Sequence, residues 1–288
     1  MTEFTFDKVL YLKSLQLTDY LDNVDAIKPS QSLLYDIVKK HSQVIPYQNS
    51  SLYGATSTLD LSIKSLQERL LLKKLGGMCY ETSELLWHAL NSFGFKAYRV
   101  PTVVLIGLPI DVDDIYTHNI TTVFFEDRKF LIDVGFGYNS IKEPLPFSFL
   151  TTEEITVQGE KYILTCQADY YMLSMEYGVN ELLNFYRFNK TVEFLPEVID
   201  VNQTSSLYTT LINHPKLVVV RDRYILCGKT TELGRIGFIY DNKEKIFKKE
   251  TFANNSVTKV FFKSKEEFER SIYEDLNISP DLSKICEV

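Results

Sequence analysis

The stretch KKLGGMCYETSELLWHALNSFGF, residues 73–95, places two glycines shortly before a cysteine at the start of a predicted helix. The helix is predicted from Cys79 or Tyr80 to Phe93, and it ends at Gly94, a residue typical of helix C-caps. The positive end of the helix dipole and the unpaired N–H groups of a first turn stabilise a thiolate. The glycines permit a tight turn and a close approach of substrate to the backbone. A small buried residue at a helix start is an equally frequent explanation, so the rest of the chain must decide.

The composition excludes several classes of function. The chain has 288 residues, 45% hydrophobic and 24% charged, which is typical of a globular protein with one large domain or two to three small ones. A net charge of -7 argues against a general surface for nucleic acid or for anionic membranes. No apolar run approaches the roughly 18 residues of a membrane span, and the first residues do not resemble a secretory signal, so we expect a cytoplasmic protein. The cysteines lie far apart without a CxxC pair, which fits neither a disulfide framework nor a cysteine-rich zinc site.

The periodicity of apolar residues changes near residue 100. Before it, helical patterns dominate, including QSLLYDIVKKH with Leu33, Leu34, Ile37 and Val38 on one face. After Pro101 the chain contains nine short segments rich in Val, Ile, Phe and Tyr, which predict strands: TVVLIGL, NITTVFFE, RKFLIDVGF, KYILTCQ, DYYMLSMEY, KLVVVRD, RYILCGK, RIGFIYD and SVTKVFF. KSKEEFERSIYEDLNI predicts a closing helix. We therefore expect an α+β fold, divided into a helical bundle (1–100), a β-rich domain (101–205) and a sheet with a C-terminal helix (206–288).

A cysteine nucleophile needs a base and a group that orients the base. His88 lies nine residues along the same helix, about 13 Å away, and cannot reach Cys79. His118 opens the segment HNITTVFF, and its expected partner strand, KFLIDVGFG, carries Asp133. A hairpin centred on residues 126–128 would bring the two side chains to neighbouring levels of a sheet. An acid inside an apolar strand needs a partner when it is buried, although capping of the next turn is the alternative role for this aspartate.

These motifs resemble those of the arylamine N-acetyltransferases, and the resemblance extends over most of the chain. LGGMCYETSELLWHALNSFGF is similar to the family's RGGxCxExN helix, which makes Cys79 the nucleophile, and HSQVIPYQN is similar to its H…IPFEN motif. THNITTVFFEDRKFLIDVGFG is similar to the histidine strand and the DVGFG segment, which supply His118 and Asp133. The resemblance implies a papain-like cysteine-triad fold with an N-terminal helical bundle, a central β-barrel-like domain and a C-terminal α/β lid.

The same resemblance implies a reaction and its ligands. Members transfer an acetyl group from acetyl-CoA through an acyl-cysteine to an aromatic amine or hydrazine, by a ping-pong route and without a metal. Tyr47, in place of the family's phenylalanine, and Phe136 are expected to line the pocket and stack on the aryl ring. CoA is expected between the second and third domains, where the hydroxyls of NQTSSLYTTL offer contacts: Thr204, Tyr208 and Thr210. Positive charge for its phosphates is available from Lys216, Arg221, Arg223 and Lys229.

Three residues depart from the family pattern around the cysteine. Leu75 replaces the arginine before Gly-Gly, Gln48 replaces the glutamate of PFEN, and Ser83 replaces an asparagine. The family's arginine and glutamate are expected to pair, and the loss of both charges can be nearly neutral, whereas the loss of one leaves a charge unpaired. We interpret the chain as a divergent member, of fungal type, with its triad intact.

Two other functions remain open. The same triad would serve a transglutaminase-like or papain-like cysteine amidase, which would hydrolyse an amide without CoA. The departures at Leu75, Gln48 and Ser83 are also compatible with a catalytically retired module that binds CoA or an aromatic ligand. Rapid alkylation of Cys79 by iodoacetamide well below pH 8 would argue against a retired thiol.

Overall fold

Helices form most of the first hundred residues. The computed structural model describes residues 5–53, 59–106, 115–177, 181–190, 201–215, 217, 221–253 and 256–285. Its α-helices include α1 (Lys8–Ser14), α2 (Gln31–Val44), α3 (Ile63–Leu66), α4 (Cys79–Ser92), α5 (Val201–Asn213) and α6 (Lys265–Leu276). A π-helix, Gln67–Leu72, continues α3 directly. Among the helices of the described residues, none has the length and apolar character that a bilayer span requires.

Helix α2 illustrates how the N-terminal core forms. Ser30 caps the helix by accepting the N–H of Leu33, which satisfies one unpaired donor of the first turn. The predicted apolar face is confirmed, because Leu33, Leu34, Ile37 and Val38 are all completely buried. They belong to a hydrophobic cluster that also contains the buried side of α4. The cluster anchors the helix that carries Cys79.

Seven antiparallel strands form the central sheet. They are β2 (Lys96–Val104), β3 (His118–Phe125), β4 (Arg128–Ile132), β5 (Glu153–Val157), β6 (Glu160–Cys166), β7 (Tyr170–Tyr177) and β8 (Glu181–Asn189), in the order β4-β3-β2-β8-β7-β6-β5. The predicted β3–β4 hairpin is confirmed. Glu126 and Asp127 form its turn with positive φ angles, which match the twist of the flanking strands. The register places Thr121 opposite Ile132, so His118 and Asp133 end up at the same end of the hairpin.

A second sheet joins a short strand of the helical region to four strands of the C-terminal region. Its order is β1-β9-β10-β11-β12, with β1 (Tyr47–Gln48), β9 (Tyr224–Thr230), β10 (Gly234–Asp241), β11 (Ile246–Ala253) and β12 (Ser256–Phe262). Tyr47 pairs with Gly228 on one side and bridges Gly77 on the other. Asn49 extends this join, because its side chain accepts the N–H of Leu226 at 2.7 Å and donates to the carbonyl of Tyr224 at 3.1 Å. The turn Gly77–Cys79, the cysteine turn, is thereby fixed to the C-terminal sheet.

Two sequence-based expectations about strands are wrong. The described residues of the segment KLVVVRD do not form a strand, since Leu217 and Arg221 are helical and Asp222 lies in a turn. Strand β2 begins at Lys96 and runs through Pro101 instead of starting after it. Pro101 is tolerated because β8 pairs with β2 only at Val103 and Val104, so this edge needs no N–H from the proline.

Candidate active site

Cys79 is the first residue of α4, and its thiol is buried. The carboxylate of Glu81 accepts the N–H of Met78 at 2.9 Å, which closes the start of the helix. The segment after β4 packs directly on this turn: a Cβ on Gly135 would lie 2.9 Å from the Cα of Cys79, so only glycine fits there. The nucleophile predicted from the sequence therefore lies between the start of α4 and the end of the β3–β4 hairpin.

His118 and Asp133 meet beside this thiol, as the hairpin argument predicted. His118 donates from Nε2 to Asp133 Oδ2 at 2.8 Å, and Oδ1 accepts the N–H of Gly135 at 2.9 Å, so the carboxylate is held on both oxygens. Burial lowers the pKa of His118, but the Asp133 charge and the hydrogen bond and charge of Cys79 outweigh it. Together they raise the pKa from 6.5 to about 10. His118 is therefore an imidazolium at neutral pH, bonded to Asp133 on one side and Cys79 on the other.

Aromatic rings surround the histidine and exclude water from it. The ring of His118 lies 5.1 Å from Phe136 and 5.7 Å from Tyr186, measured between centroids. Phe136 meets Tyr186 edge-on at 5.3 Å. Burial and the nearby Asp133 carboxylate raise the pKa of Tyr186 well above its usual value, so this phenol stays neutral. An apolar environment of this kind strengthens the interaction among Cys79, His118 and Asp133.

A cavity of about 410 Å³ opens on Cys79 and His118. Its wall combines residues of the helical region, the central sheet and the C-terminal sheet, among them Tyr47, Phe136 and Cys227. Tyr47 packs its ring on Gly137, and among the described residues its hydroxyl has no hydrogen-bond partner. Burial, with smaller contributions from Cys79 and Cys227, raises the pKa of Tyr47 well above its usual value. Both residues predicted to contact the substrate, Tyr47 and Phe136, thus line one cavity together with Cys79.

The three predicted CoA contacts lie on α5, away from the lining of this cavity. Thr204 is fully buried and accepts a long hydrogen bond from Asn119 at 3.5 Å. Tyr208 is buried with its ring edge-on to Tyr80, and Thr210 donates to a carbonyl of its own helix. Their contact with CoA stays a prediction.

Of the four cationic side chains predicted to bind the phosphates of CoA, one lines the cavity. Arg221 lines the cavity, where it is held by the carboxylate of Asp222 at 2.6 and 2.7 Å. Lys248 also lines the cavity, and the sequence analysis missed it. Arg223 pairs with Asp241 outside the cavity lining, Lys229 lines a second pocket of about 210 Å³, and Lys216 lies outside the described residues.

Two of the three residues that depart from the family pattern, Gln48 and Ser83, have hydrogen-bond partners close by. Gln48 accepts the N–H and the hydroxyl of Ser50 at 2.8 and 2.6 Å, and Ser83 donates to the carbonyl of Asn119 at 2.9 Å. Leu75 is 44% exposed and takes no part in the site. The carboxylate of Glu81 nevertheless has a cation, because Arg69 pairs with it from the π-helix. The sequence analysis missed this arginine. Across the described ranges, no group of three or more His, Cys, Asp or Glu side chains is arranged to hold a metal ion.

Comparison with known proteins is consistent with this geometry. A family profile described as N-acetyltransferase matches residues 32–285. The arylamine N-acetyltransferase of Mycobacterium tuberculosis is 30% identical over 166 residues, which span 56% of this chain and 58% of that relative's length. Among solved structures, the Salmonella typhimurium arylamine N-acetyltransferase has a TM-score of 0.78 at 17% identity, over 99% of this chain and 96% of that chain. The Mycobacterium marinum enzyme in complex with CoA has a TM-score of 0.77 at 20% identity, over 98% and 95%. The chain has the mixed helix-and-sheet fold of these structures, and it belongs to the arylamine N-acetyltransferase family.

Proposed function

We propose that this protein is an arylamine N-acetyltransferase that moves an acetyl group from acetyl-CoA to an aromatic amine or hydrazine through an acyl-enzyme on Cys79. One observation carries the proposal: Cys79 begins a helix beside His118, which is bonded to Asp133 at 2.8 Å, and all of this lies on a cavity of about 410 Å³. Family membership and the CoA complex of the M. marinum relative support CoA as the acyl carrier.

The first half-reaction follows from the charge state of the site. The Cys79 thiolate attacks the thioester carbonyl carbon, and a new carbon–sulfur bond forms. The tetrahedral intermediate collapses with cleavage of the bond to the CoA sulfur. CoA leaves as a thiol with the proton of the His118 imidazolium, which the raised pKa of about 10 keeps available at neutral pH. Asp133 fixes the ring orientation, as the carboxylate does in other triads.

In the second half-reaction the acetyl group leaves Cys79, and His118 accepts a proton instead of donating one. The amine nitrogen attacks the acyl-cysteine carbonyl, and neutral His118 takes a proton from the nitrogen. The bond from the carbonyl carbon to Cys79 then breaks, which releases the amide and restores the thiolate–imidazolium pair. Tyr47 and Phe136 stack on the aryl ring and aim the amine at the carbonyl.

The remaining parts of the proposal concern architecture and location. We place the reacting groups in a papain-like triad layout divided into residues 1–100, 101–205 and 206–288. Two hydrophobic clusters support the second and third ranges, one within residues 100–188 and one within residues 225–285, whereas the cluster of the helical region also includes residues of both other parts, such as Val123 and Tyr208. The nucleophile comes from the first part, and the base and the acid come from the second. The third part contributes Arg221 and Lys248 to the cavity wall, where their charge would favour the phosphates of CoA. A cytoplasmic location belongs to the same proposal.

The test is the intact mass of the protein after brief mixing with acetyl-CoA in the absence of an amine. We expect wild type to gain one acetyl group, Cys79→Ala to gain none, and an added arylamine to remove the group again. A folded wild-type protein that gains no acyl group from acetyl-, propionyl- or malonyl-CoA would overturn the proposal. Amide hydrolysis without CoA would then favour a cysteine amidase, and ligand binding without turnover would favour a retired binding module.

A further inference from the structure

Arg69 is a charged residue close to the nucleophile that the proposed mechanism does not use. It lies in the π-helix Gln67–Leu72, and its Nη1 pairs with Oε1 of Glu81. The carboxylate is buried, with the Glu81 side chain 2% exposed, whereas the Arg69 side chain is 28% exposed. A buried carboxylate requires a partner, and in the described part of the chain this guanidinium is the one cation paired with it.

Two further hydrogen bonds fix the orientation of the guanidinium. Nε of Arg69 donates to the hydroxyl of Ser65 at 3.0 Å, and Nη2 donates to the carbonyl of Asp60 at 2.7 Å. The planar group is therefore held by three different partners on separate nitrogens. A lysine would supply charge here, but its single ammonium could not reproduce this fixed arrangement of donors.

Glu81 connects the arginine to the cysteine turn. While Oε1 pairs with Arg69, Oε2 accepts the N–H of Met78, the residue before Cys79, at 2.9 Å. The turn also rests on this side chain: a Cβ on Gly77 would lie 3.1 Å from the Cβ of Glu81 and 3.3 Å from Oε2. A movement of Glu81 would therefore move the backbone that aims the thiol.

We infer that Arg69 is a positioning residue for the nucleophile, acting through Glu81 on the Gly77–Cys79 turn. The inference rests on the proposed function in one respect, that Cys79 is the reacting group. Without Arg69, the buried carboxylate would lose its countercharge and seek water, and the N–H of Met78 would lose its fixed acceptor. The leftover negative charge on Glu81 would also oppose a thiolate on Cys79, two residues earlier in the chain.

The chain contains a matched control pair on the same helix. Arg99 donates from Nε to the carboxylate of Glu84 at 2.6 Å, and Glu84 is 1% exposed, so this ion pair is at least as buried as the first. Glu84 lies three residues beyond Glu81 on α4, and Arg99 belongs to β2. Arg99→Met therefore breaks a buried ion pair of the same helix without touching the cysteine turn, and it leaves Glu84 with His88 Nε2 at 3.3 Å.

The experiment measures the second-order rate of Cys79 alkylation by iodoacetamide from pH 6 to pH 10, together with the melting temperature. We expect Arg69→Met to slow alkylation at pH 7 by at least about tenfold and to move the pH profile to higher pH. The alkylation rate of Arg99→Met should stay within about twofold of the wild-type rate at every pH, even if its melting temperature falls as much as that of Arg69→Met. Arg69→Lys should recover part of the rate, because it restores the charge but not the geometry.

Removing both charges keeps the inference testable if Arg69→Met fails to fold. The double variant Arg69→Met with Glu81→Gln should fold, since no charge is left unpaired. Its pH profile of alkylation should return close to that of wild type, whereas its alkylation rate should return only in part. Alkylation of Arg69→Met at the wild-type rate, or an equal loss in Arg69→Met and Arg99→Met, would overturn the inference. Alkylation needs no acyl-CoA, so a wild-type protein that reacts with iodoacetamide but not with acetyl-CoA would defeat the proposed function alone.

Discussion

His41, in the helical core, and His118, in the cavity wall, are buried to almost the same degree, with 0% and 2% of their surface exposed. Their pKa values nevertheless move in opposite directions. Burial lowers the pKa of His41 from 6.5 to about 3, because its close side-chain partner is the uncharged hydroxyl of Tyr11 at 2.8 Å. Burial acts on His118 in the same direction, but the charge of Asp133 and the contact with Cys79 reverse it and raise the pKa to about 10.

The comparison shows that burial alone does not decide what a histidine can do. A neutral partner leaves His41 as a packing and hydrogen-bonding group of α2. A buried carboxylate turns His118 into a stable cation next to a thiol, which is the arrangement that activates a cysteine nucleophile. The charge of the immediate neighbour separates a structural histidine from the proposed catalytic one in this protein.

The largest predicted effect comes from removing the charge that distinguishes the two histidines. Asp133→Asn keeps the shape of the side chain but should lower the pKa of His118 towards that of His41. We expect acetylation of Cys79 by acetyl-CoA to slow by about a thousandfold or more, as for other triads that lose their carboxylate. Rapid-quench mass spectrometry measures the rate, and an NMR titration of labelled histidine measures the pKa.

Ser83→Ala provides the control for that variant, because it removes a buried hydrogen bond to β3 without changing any charge. It should acetylate within about threefold of wild type, an effect of well under 1 kcal/mol on the barrier. An Asp133→Asn protein that retains a His118 pKa near 10 would refute the assignment of the shift to this carboxylate.

The next effect concerns stability against pH, and its sign differs between the two histidines. The folded pKa of His41 lies below the unfolded value of 6.5, so its contribution is present above pH 6.5 and is lost as the pH falls towards 3. The folded pKa of His118 lies above 6.5, so its contribution is present below pH 6.5 and is lost as the pH rises through about 10. Each should change the free energy of unfolding by up to about 1.4 kcal/mol per pH unit within its window.

Urea unfolding of wild type, His41→Gln and His118→Gln between pH 4 and pH 10 separates these two contributions. The difference between wild type and His41→Gln should shrink on the acid side, and the difference for His118→Gln should shrink on the alkaline side. Parallel curves for the two variants would mean that both histidines respond to burial in the same way, contrary to the comparison.

The smallest effect distinguishes two tyrosine hydroxyls. Tyr11→Phe leaves Nδ1 of buried His41 without its partner, and we expect it to cost about 1–3 kcal/mol of unfolding free energy. Tyr47→Phe should stay within about 0.5 kcal/mol of wild type, since its hydroxyl has no hydrogen-bond partner among the described residues. Thermal unfolding measures both. Equal stability of the two variants would show that Nδ1 of His41 does not depend on the Tyr11 hydroxyl.

The sequence was sufficient for the parts of the site that depend on local pattern. The histidine lies at the start of one strand and the aspartate directly after the next, so a short hairpin joins them, and the cysteine after two glycines lies at a helix start. Helix start and hairpin register then determine where Cys79, His118 and Asp133 lie. The charge state of His118 also follows, because an acid among apolar residues needs a cationic partner.

The parts that could not be predicted depend on contacts between distant segments. Strand β11, IFKKETFA, carries three charged residues and is a strand because β10 and β12 pair with it on both sides. The segment KLVVVRD has the composition of a strand, yet of its described residues Leu217 and Arg221 are helical and Asp222 lies in a turn. Arg69 was missed for a related reason: the sequence LSIKSLQERLLLKK predicts an ordinary helix, and only the π-helix determines the direction in which the arginine points.

The join between β1 and β9 has a consequence for how the protein is made. Residues 47–49 emerge from the ribosome before their partners, because the strand that pairs with Tyr47 and the backbone groups that bind Asn49 lie about 175 residues later in the chain. In the nascent chain, the edge of β1 stays unpaired and the cavity wall stays exposed until that strand is synthesised. Such long-range pairing is slow and leaves apolar surface open to aggregation. The cavity wall around Cys79 therefore assembles late, and the thiol acquires its complete environment only after residues 224–228 have been synthesised.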